Sequence, residues 1–347
     1  MNWKRLLFII GIICVLVVSY YILSLKPCRE VKVVLLTEGF ISRGPSYHCS
    51  GKIIFHSSID RDNQLWSMYP DGSNQTPITT VGVYEEDYCI GDDRIFFLGK
   101  DRNLWEVDIK KGKERCLGLK GRGEKKEGKG IWAHKKYFFK YISKTNELFF
   151  IRINGDLYSL NMEKNTISFI GKFVDKNKRI IKGGDISSDG DKIAFEKDGY
   201  IYLMDRYTKI TELLAKGELP RWTQAKNKIL FFYSGKDKAE MYIMDVISKD
   251  KKTLYSGKPY SISGYDSLDI SPDGTKLAYI IYSMNKDGIP RRSDICVMNM
   301  DGTKRINVTK KMGAKGYFSP SWLPNGKKIV FCAGDGYWNN ICVMELE

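Results

Sequence analysis

The amino-acid sequence predicts an all-β protein, a seven-bladed β-propeller preceded by one N-terminal transmembrane helix. Three observations carry that expectation: a repeating unit closes on an aromatic residue seven times, each copy spells short strands and tight turns, and residues 6–25 hold no charge. The clearest copy is Ser271-Pro-Asp-Gly-Thr-Lys-Leu-Ala-Tyr279, followed by Asp294-Ile-Cys-Val-Met-Asn-Met-Asp-Gly302. Weaker copies close on Phe55, Phe97, Phe150, Phe195, Phe231 and Phe331, at spacings of 36 to 53 residues. A unit of that length marks an array, because one copy cannot bury its apolar face without a neighbour stacked on it.

Each copy is expected to hold four strands. The first enters a Pro/Asp/Gly turn, in which Pro presets φ and Gly accepts positive φ, and the second leaves it as a β-branched or aromatic triplet. The third alternates in character, as in Gln64-Leu-Trp-Ser-Met68, Asp156-Leu-Tyr-Ser-Leu160 and Tyr200-Ile-Tyr-Leu-Met204. The fourth is the most polar, as in Thr303-Lys-Arg-Ile-Asn-Val-Thr309, and suits an outer edge. The seventh copy reaches Glu347 after its third strand, whereas Glu30-Val-Lys-Val-Val-Leu-Leu-Thr37 reads as a fourth strand without the other three. The N-terminal strand is therefore expected to complete the last blade and remove its exposed edge. A six-bladed ring is the alternative, because the copy from Thr145 to Phe150 has lost its turn signature.

The stretches Pro320-Ser-Trp-Leu-Pro-Asn-Gly-Lys-Lys-Ile-Val-Phe331, Ile270-Ser-Pro-Asp-Gly-Thr-Lys-Leu-Ala-Tyr279 and Val297-Met-Asn-Met-Asp-Gly302 resemble the PD40 repeats of TolB-like, WD40-like β-propellers. The resemblance covers about residues 30–347 and implies the propeller fold. It implies little about activity, since one fold hosts many functions.

Residues 6–25 are long enough, at about 1.5 Å per residue, to cross a hydrocarbon core of about 30 Å as a helix. Ser24-Leu-Lys-Pro27 lacks the small-residue site a signal peptidase prefers, so the expectation is an uncleaved signal anchor. The organisation expected is a flank at 1–5, a transmembrane helix at 6–25 and a propeller at 30–347. Lys4 and Arg5 before the span are matched by Lys26, Arg29 and Lys32 after it, so charge does not orient it. The family resemblance and the size of the following domain favour a single-pass membrane protein with an extracytoplasmic propeller. Against that stands an odd number of cysteines: removing Cys14 leaves Cys28, Cys49, Cys89, Cys116, Cys296, Cys332 and Cys342. Cys332 and Cys342 fall on neighbouring strands, as a bridge or as buried core thiols.

The chain carries 56 basic and 41 acidic residues. Such a surface draws anionic partners: lipid headgroups, envelope polymers or an acidic protein face. Nucleic acid is not expected for an extracytoplasmic domain. Lys110 to Lys129, with nine Lys/Arg against three Glu, reads as a loop between the second and third blades, either a solvated insertion or a contact for anionic polymer or lipid headgroups.

Strand order sets the regular Asp-Gly turns on one face and leaves the variable loops, where binding usually resides, on the other. That face brings two candidate groups together. Glu85, Glu86, Asp87, Asp185, Asp266 and Asp269 come from blade entrances and are candidates for one mouth of the central channel. Arg221, Arg291 and Arg292, with Tyr265, Tyr317, Tyr337 and Trp338, give the later blades a cationic and aromatic rim. No cofactor or metal is expected, since His48, His56 and His134 share no ligand spacing. The chain has no G-x-S-x-G nucleophile elbow, and no catalytic residue is assigned. Two functions of different class follow: an envelope scaffold or sensor that binds a protein or peptide, or a protein that binds or cleaves anionic polysaccharide at the channel mouth.

Overall fold

The computed structural model describes residues 33–346 apart from 38–41, 49, 58–62, 92, 121–130, 133–138, 153, 182, 259–260, 263–267, 286–289 and 335–338. These belong to one compact unit, Val33–Glu347. The helix expected at 6–25 lies outside the described residues. Among the described residues no helix is long and apolar enough to cross a membrane.

Seven separate antiparallel sheets follow one another along the chain. Blades 1 to 6 span residues 42–77, 83–120, 131–172, 184–216, 218–257 and 268–307; blade 7 spans 316–345 and takes its outermost strand from Val33–Leu35. The chain is a seven-bladed β-propeller. Blade 3, whose turn signature is blurred in the sequence, is a full blade. Its second strand Glu147–Arg152 pairs with two inner segments, Ile131–Trp132 and Lys140–Ile142.

The Ser-x-Asp-Gly turns show why the motif recurs. Ser271 N–H donates to Lys276 O at 2.9 Å, Gly274 N–H to Ser271 O at 2.8 Å, and Lys276 N–H to Ser271 Oγ at 2.8 Å. Asp273 Oδ1 accepts both the Ser271 hydroxyl at 2.6 Å and Thr275 N–H at 3.0 Å. Gly274 has φ of 70°, a left-handed value that a side chain makes costly. Blade 4 repeats the arrangement: Asp189 Oδ1 accepts the Ser187 hydroxyl, and Lys192 N–H donates to Ser187 Oγ. Serine, aspartate and glycine are thus each demanded by one hydrogen bond or one dihedral angle.

Side-chain alternation builds the ring from these sheets. Successive residues of a strand point to opposite faces, so Ile53 and Phe55 pack between blades 7 and 1 while Ile54 packs between blades 1 and 2. Seven apolar clusters result, one between each pair of successive blades, including blade 7 with blade 1. The seven closing aromatics, Phe55 to Phe331, are all buried within them. Each supplies about 1.5–3 kcal/mol of burial energy.

Blade 7 joins the two ends of the described chain. Val33, Val34 and Leu35 pair with Met344, Val343 and Cys342. Beyond the strand, Leu36 N–H donates to Ile341 O and Ile341 N–H to Thr37 Oγ1, both at 2.8 Å. Cys332 pairs with Ile341 and Cys342 with Phe331, so the two thiols point to opposite faces of the blade and cannot bridge. Cys296 and Cys342 occupy the same third-strand position in blades 6 and 7, and both are buried. Burial pushes the Cys296 thiol up to about 12 and that of Cys342 up to about 11, as expected of inert core thiols.

Candidate functional site

The innermost strands line the channel, and their register against the second strands identifies one equivalent position in all seven blades. Ser46, Cys89, Lys140, Asp185, Arg221, Asp269 and Ser321 each stand opposite the residue just before the closing aromatic. The next residue alternates around the ring. It is Tyr47, Tyr141, Trp222 and Trp322 in odd blades and Ile90, Ile186 and Ile270 in even ones.

The alternation has a structural consequence. Asp185 Oδ2 of blade 4 accepts Trp222 N–H of blade 5 at 2.9 Å, and Asp269 Oδ2 of blade 6 accepts Trp322 N–H of blade 7 at 2.7 Å. Cys89 Sγ of blade 2 accepts Tyr141 N–H of blade 3 at 2.8 Å. Each even blade thereby holds the odd blade after it through a side-chain acceptor and a main-chain donor. Trp322 adds its indole N–H to Asp269 O at 3.1 Å. Lys140 extends the chain of contacts by donating to Asp185 Oδ1 at 2.6 Å and to Ile186 O at 2.7 Å. Lys140, Asp185 and Trp222 therefore tie blades 3, 4 and 5 together along the channel.

Blades 1, 5 and 7 share a second device. Their inner strands carry a bulge of one residue opposite the closing aromatic, at Gly44-Pro45, Leu219-Pro220 and Ser319-Pro320. Gly44, Leu219 and Ser319 have φ of 56°, 55° and 50°. Bulges of this kind re-aim the side chain that follows. Here that side chain is Ser46, Arg221 or Ser321.

The candidate residues divide by what they touch. Asp185 and Asp269 lie on the inner strands, but both carboxylates are committed to the neighbouring blade. Arg292 donates to Asp294 at 3.0 Å and to the carbonyls of Thr309 and Met312, each at 2.9 Å. Its guanidinium also lies 5.4 Å from the ring of Tyr317. Tyr317 is wholly buried, and its hydroxyl accepts Ala314 N–H at 3.0 Å. These two brace blade 6 against blade 7. Glu85, Glu86 and Asp87 fall within the inner strand Val83–Ile90. Tyr265, Asp266, Tyr337 and Trp338 lie outside the described residues.

Arg221 and Arg291 differ from the rest. Arg291 is exposed at the start of the third strand of blade 6. Arg221 is half-buried on the inner strand of blade 5, and its one hydrogen bond among the described residues is a long one, 3.5 Å to Gly184 O. No carboxylate among the described residues reaches it. An arginine there offers ready hydrogen-bond donors to a carboxylate or another anion. The Lys110 to Lys129 segment is not a loop throughout, because Lys113–Lys120 is the outer strand of blade 2. Among its described cations, Lys110 pairs with Asp93 at 2.7 Å and Arg115 with Glu106 at 2.5 Å.

Two histidines are placed. His48 spans two blades, accepting Ser50 N–H at 2.9 Å on Nδ1 and donating from Nε2 to Gly91 O at 3.0 Å. His56 is buried. Among the described residues, no group of three or more His, Cys, Asp or Glu side chains could hold a metal ion.

Sequence reasoning missed Ser46, Cys89, Lys140 and Ser321 as members of the inner ring. A signal for Lys140 existed: stepping back ten residues from the closing aromatic reaches Lys140, Asp185, Arg221, Asp269 and Ser321 alike. The same step fails in blades 1 and 2, whose turns are shorter.

No family model matches the chain, and no curated protein matches it. Solved structures do. An oligogalacturonate lyase in complex with manganese aligns at a TM-score of 0.72 and 15% identity, over 92% of this chain and 94% of that one. The oligogalacturonate lyase of Vibrio parahaemolyticus aligns at 0.70 and 14% identity, over 92% and 95%. TolB from Acinetobacter baumannii is a more distant neighbour, at 0.46 and 13% identity, over 63% and 55%. At these identities the likeness is one of fold, and the ring as a whole is what the chain shares with the lyases.

Proposed function

We propose that the protein is a membrane-anchored binding propeller of the cell envelope, and that it receives a protein or peptide with an acidic segment at the channel mouth on the loop-bearing face. The observation that carries this reading is Arg221. In a ring where Lys140, Asp185 and Asp269 are each committed to a neighbouring blade, its guanidinium is left without a carboxylate partner among the described residues. A rigid ring whose inner strand carries a cation with no carboxylate partner among the described residues fits capture without rearrangement. The anchor at residues 6–25 and the extracytoplasmic orientation belong to the same proposal.

Crosslinking in intact cells with the full chain tests it. The expected outcome is a captured envelope protein, reduced about tenfold or more by Arg221→Ala, in keeping with loss of a charged hydrogen bond. Equal capture by the variant would sink the assignment of Arg221.

The same cation supports a second reading, an acidic oligosaccharide held by its carboxylates, and the lyases of similar fold are named for such a substrate. Depletion or shortening of an anionic glycan by the purified chain, lost with Arg221→Ala, would favour it over the scaffold.

A further inference from the structure

We propose that the outer wall where blades 6 and 7 meet rests on an anionic lipid surface, an inference that builds on the membrane-anchor reading. The wall carries two exposed apolar side chains on either side of one seam. Ile306, on the outer strand of blade 6, stands opposite Val297, and Val297 packs into the cluster between blades 6 and 7. Directly opposed residues share a face, so Ile306 faces the blade 7 side of its sheet. Leu35, on the outer strand of blade 7, stands opposite Cys342 of the same cluster and so faces the blade 6 side. Ile306 is 61% exposed and Leu35 47%. Both are surface side chains flanking the outer end of a filled seam.

Charge around the seam is one-sided. Lys304, Lys310, Lys311 and Lys315 are all exposed, and none has a carboxylate partner among the described residues. From Asp294 to Glu345 the chain has seven Lys/Arg against three Asp and one Glu. The guanidinium of Arg305 lies 5.3 Å from the ring of Tyr255 of blade 5, on the other side of blade 6 from Ile306, and so is no part of this seam. Shallow apolar side chains among lysines suit the headgroup region of an anionic bilayer, where the charges meet phosphate and the apolar groups enter the acyl boundary.

The tether selects this wall over others. Val33 opens the outermost strand of blade 7, and only seven residues separate it from Leu25 at the end of the apolar run. The eight Cα-to-Cα steps from Leu25 to Val33 reach at most about 28 Å. Blades 3 and 4 carry a comparable outer patch in Ile167, Phe169 and Leu213, 44 to 57% exposed, but no such tether leads to it.

The full chain, reconstituted in lipid nanodiscs containing a photoactivatable lipid, provides the test. In discs with anionic lipid, lipid adducts are expected on peptides carrying Leu35 and Ile306, about fivefold above those on peptides carrying Ile167 and Phe169. Zwitterionic discs should lose that excess. So should the Lys310→Glu, Lys311→Glu, Lys315→Glu variant, whose urea midpoint checks that it is folded. Adducts spread evenly around the wall, or absent while the chain stays in the disc, would overturn the inference. Alkaline extraction separates the two claims: a chain released from the membrane defeats the anchor reading. The full chain is then presented to anionic vesicles, where adducts at Leu35 and Ile306 uphold the lipid surface and their absence overturns it.

Discussion

At the scale of single residues, the channel is built from side chains that hold main chain. Asp185 accepts Lys140, Trp222 N–H and Ile186 N–H within 2.6 to 2.9 Å, and its side chain is 12% exposed. Asp185→Ala would leave a half-buried ammonium and a main-chain donor short of an acceptor. The expected loss is about 2–3 kcal/mol, read from the urea midpoint, with Asp185→Asn falling between the two. A midpoint unchanged in the alanine variant would mean that the inter-blade bond contributes nothing. The carboxylates Asp185 and Asp269 were legible in the sequence as blade-entrance residues. Their partners were not, because Trp222 and Trp322 are 37 and 53 residues away and use their main-chain N–H, which every residue but proline has.

At the scale of the element, the Ser-x-Asp-Gly turn couples sequence to geometry most directly. The Ser271 hydroxyl and Thr275 N–H hold the Asp273 carboxyl down to about 2. A carboxyl whose folded value lies below its unfolded one stabilises above the unfolded value, and that contribution is lost as pH falls through the folded one. The window is therefore between about pH 4 and pH 2. NMR titration of Asp273 should show a midpoint near the lower end, and Ser271→Ala should move it up toward the ordinary carboxylate range. A midpoint unmoved by the substitution would deny the hydroxyl its role. These turns were readable because their demands are local: one hydroxyl, one carboxylate and one positive φ within four residues. The bulges of blades 1, 5 and 7 were not read. The left-handed residue is Gly44 in one but Leu219 and Ser319 in the others, and the proline that follows each does not single them out, since Pro70, Pro272 and Pro324 stand in ordinary turns.

At the scale of the whole molecule, stability is a sum over seven similar seams, and the seam between blades 7 and 1 depends on both ends of the described chain. Deleting Val33 to Thr37 would expose the edge of Asn339–Glu345, a row of unpaired main-chain groups that pairs readily with other chains. The expected outcome is a lower urea midpoint and concentration-dependent association, followed by light scattering; a monomer with unchanged stability would show that the ring closes without the strand. The sequence by itself determined the repeating strands, the turns and the buried aromatics, because apolar alternation and turn chemistry act over a few residues, whereas the tertiary structure decided between six blades and seven by making the blurred third copy a full blade. Only the tertiary structure decided which polar residues of the inner strands are committed. Asp185, Asp269, Arg292 and Tyr317 became parts of the frame and Arg221 did not, since that depends on which atoms of a neighbouring blade arrive within hydrogen-bond reach. The same holds for the wall of Leu35 and Ile306, two residues 271 positions apart in the chain that flank one seam only when the ring is closed.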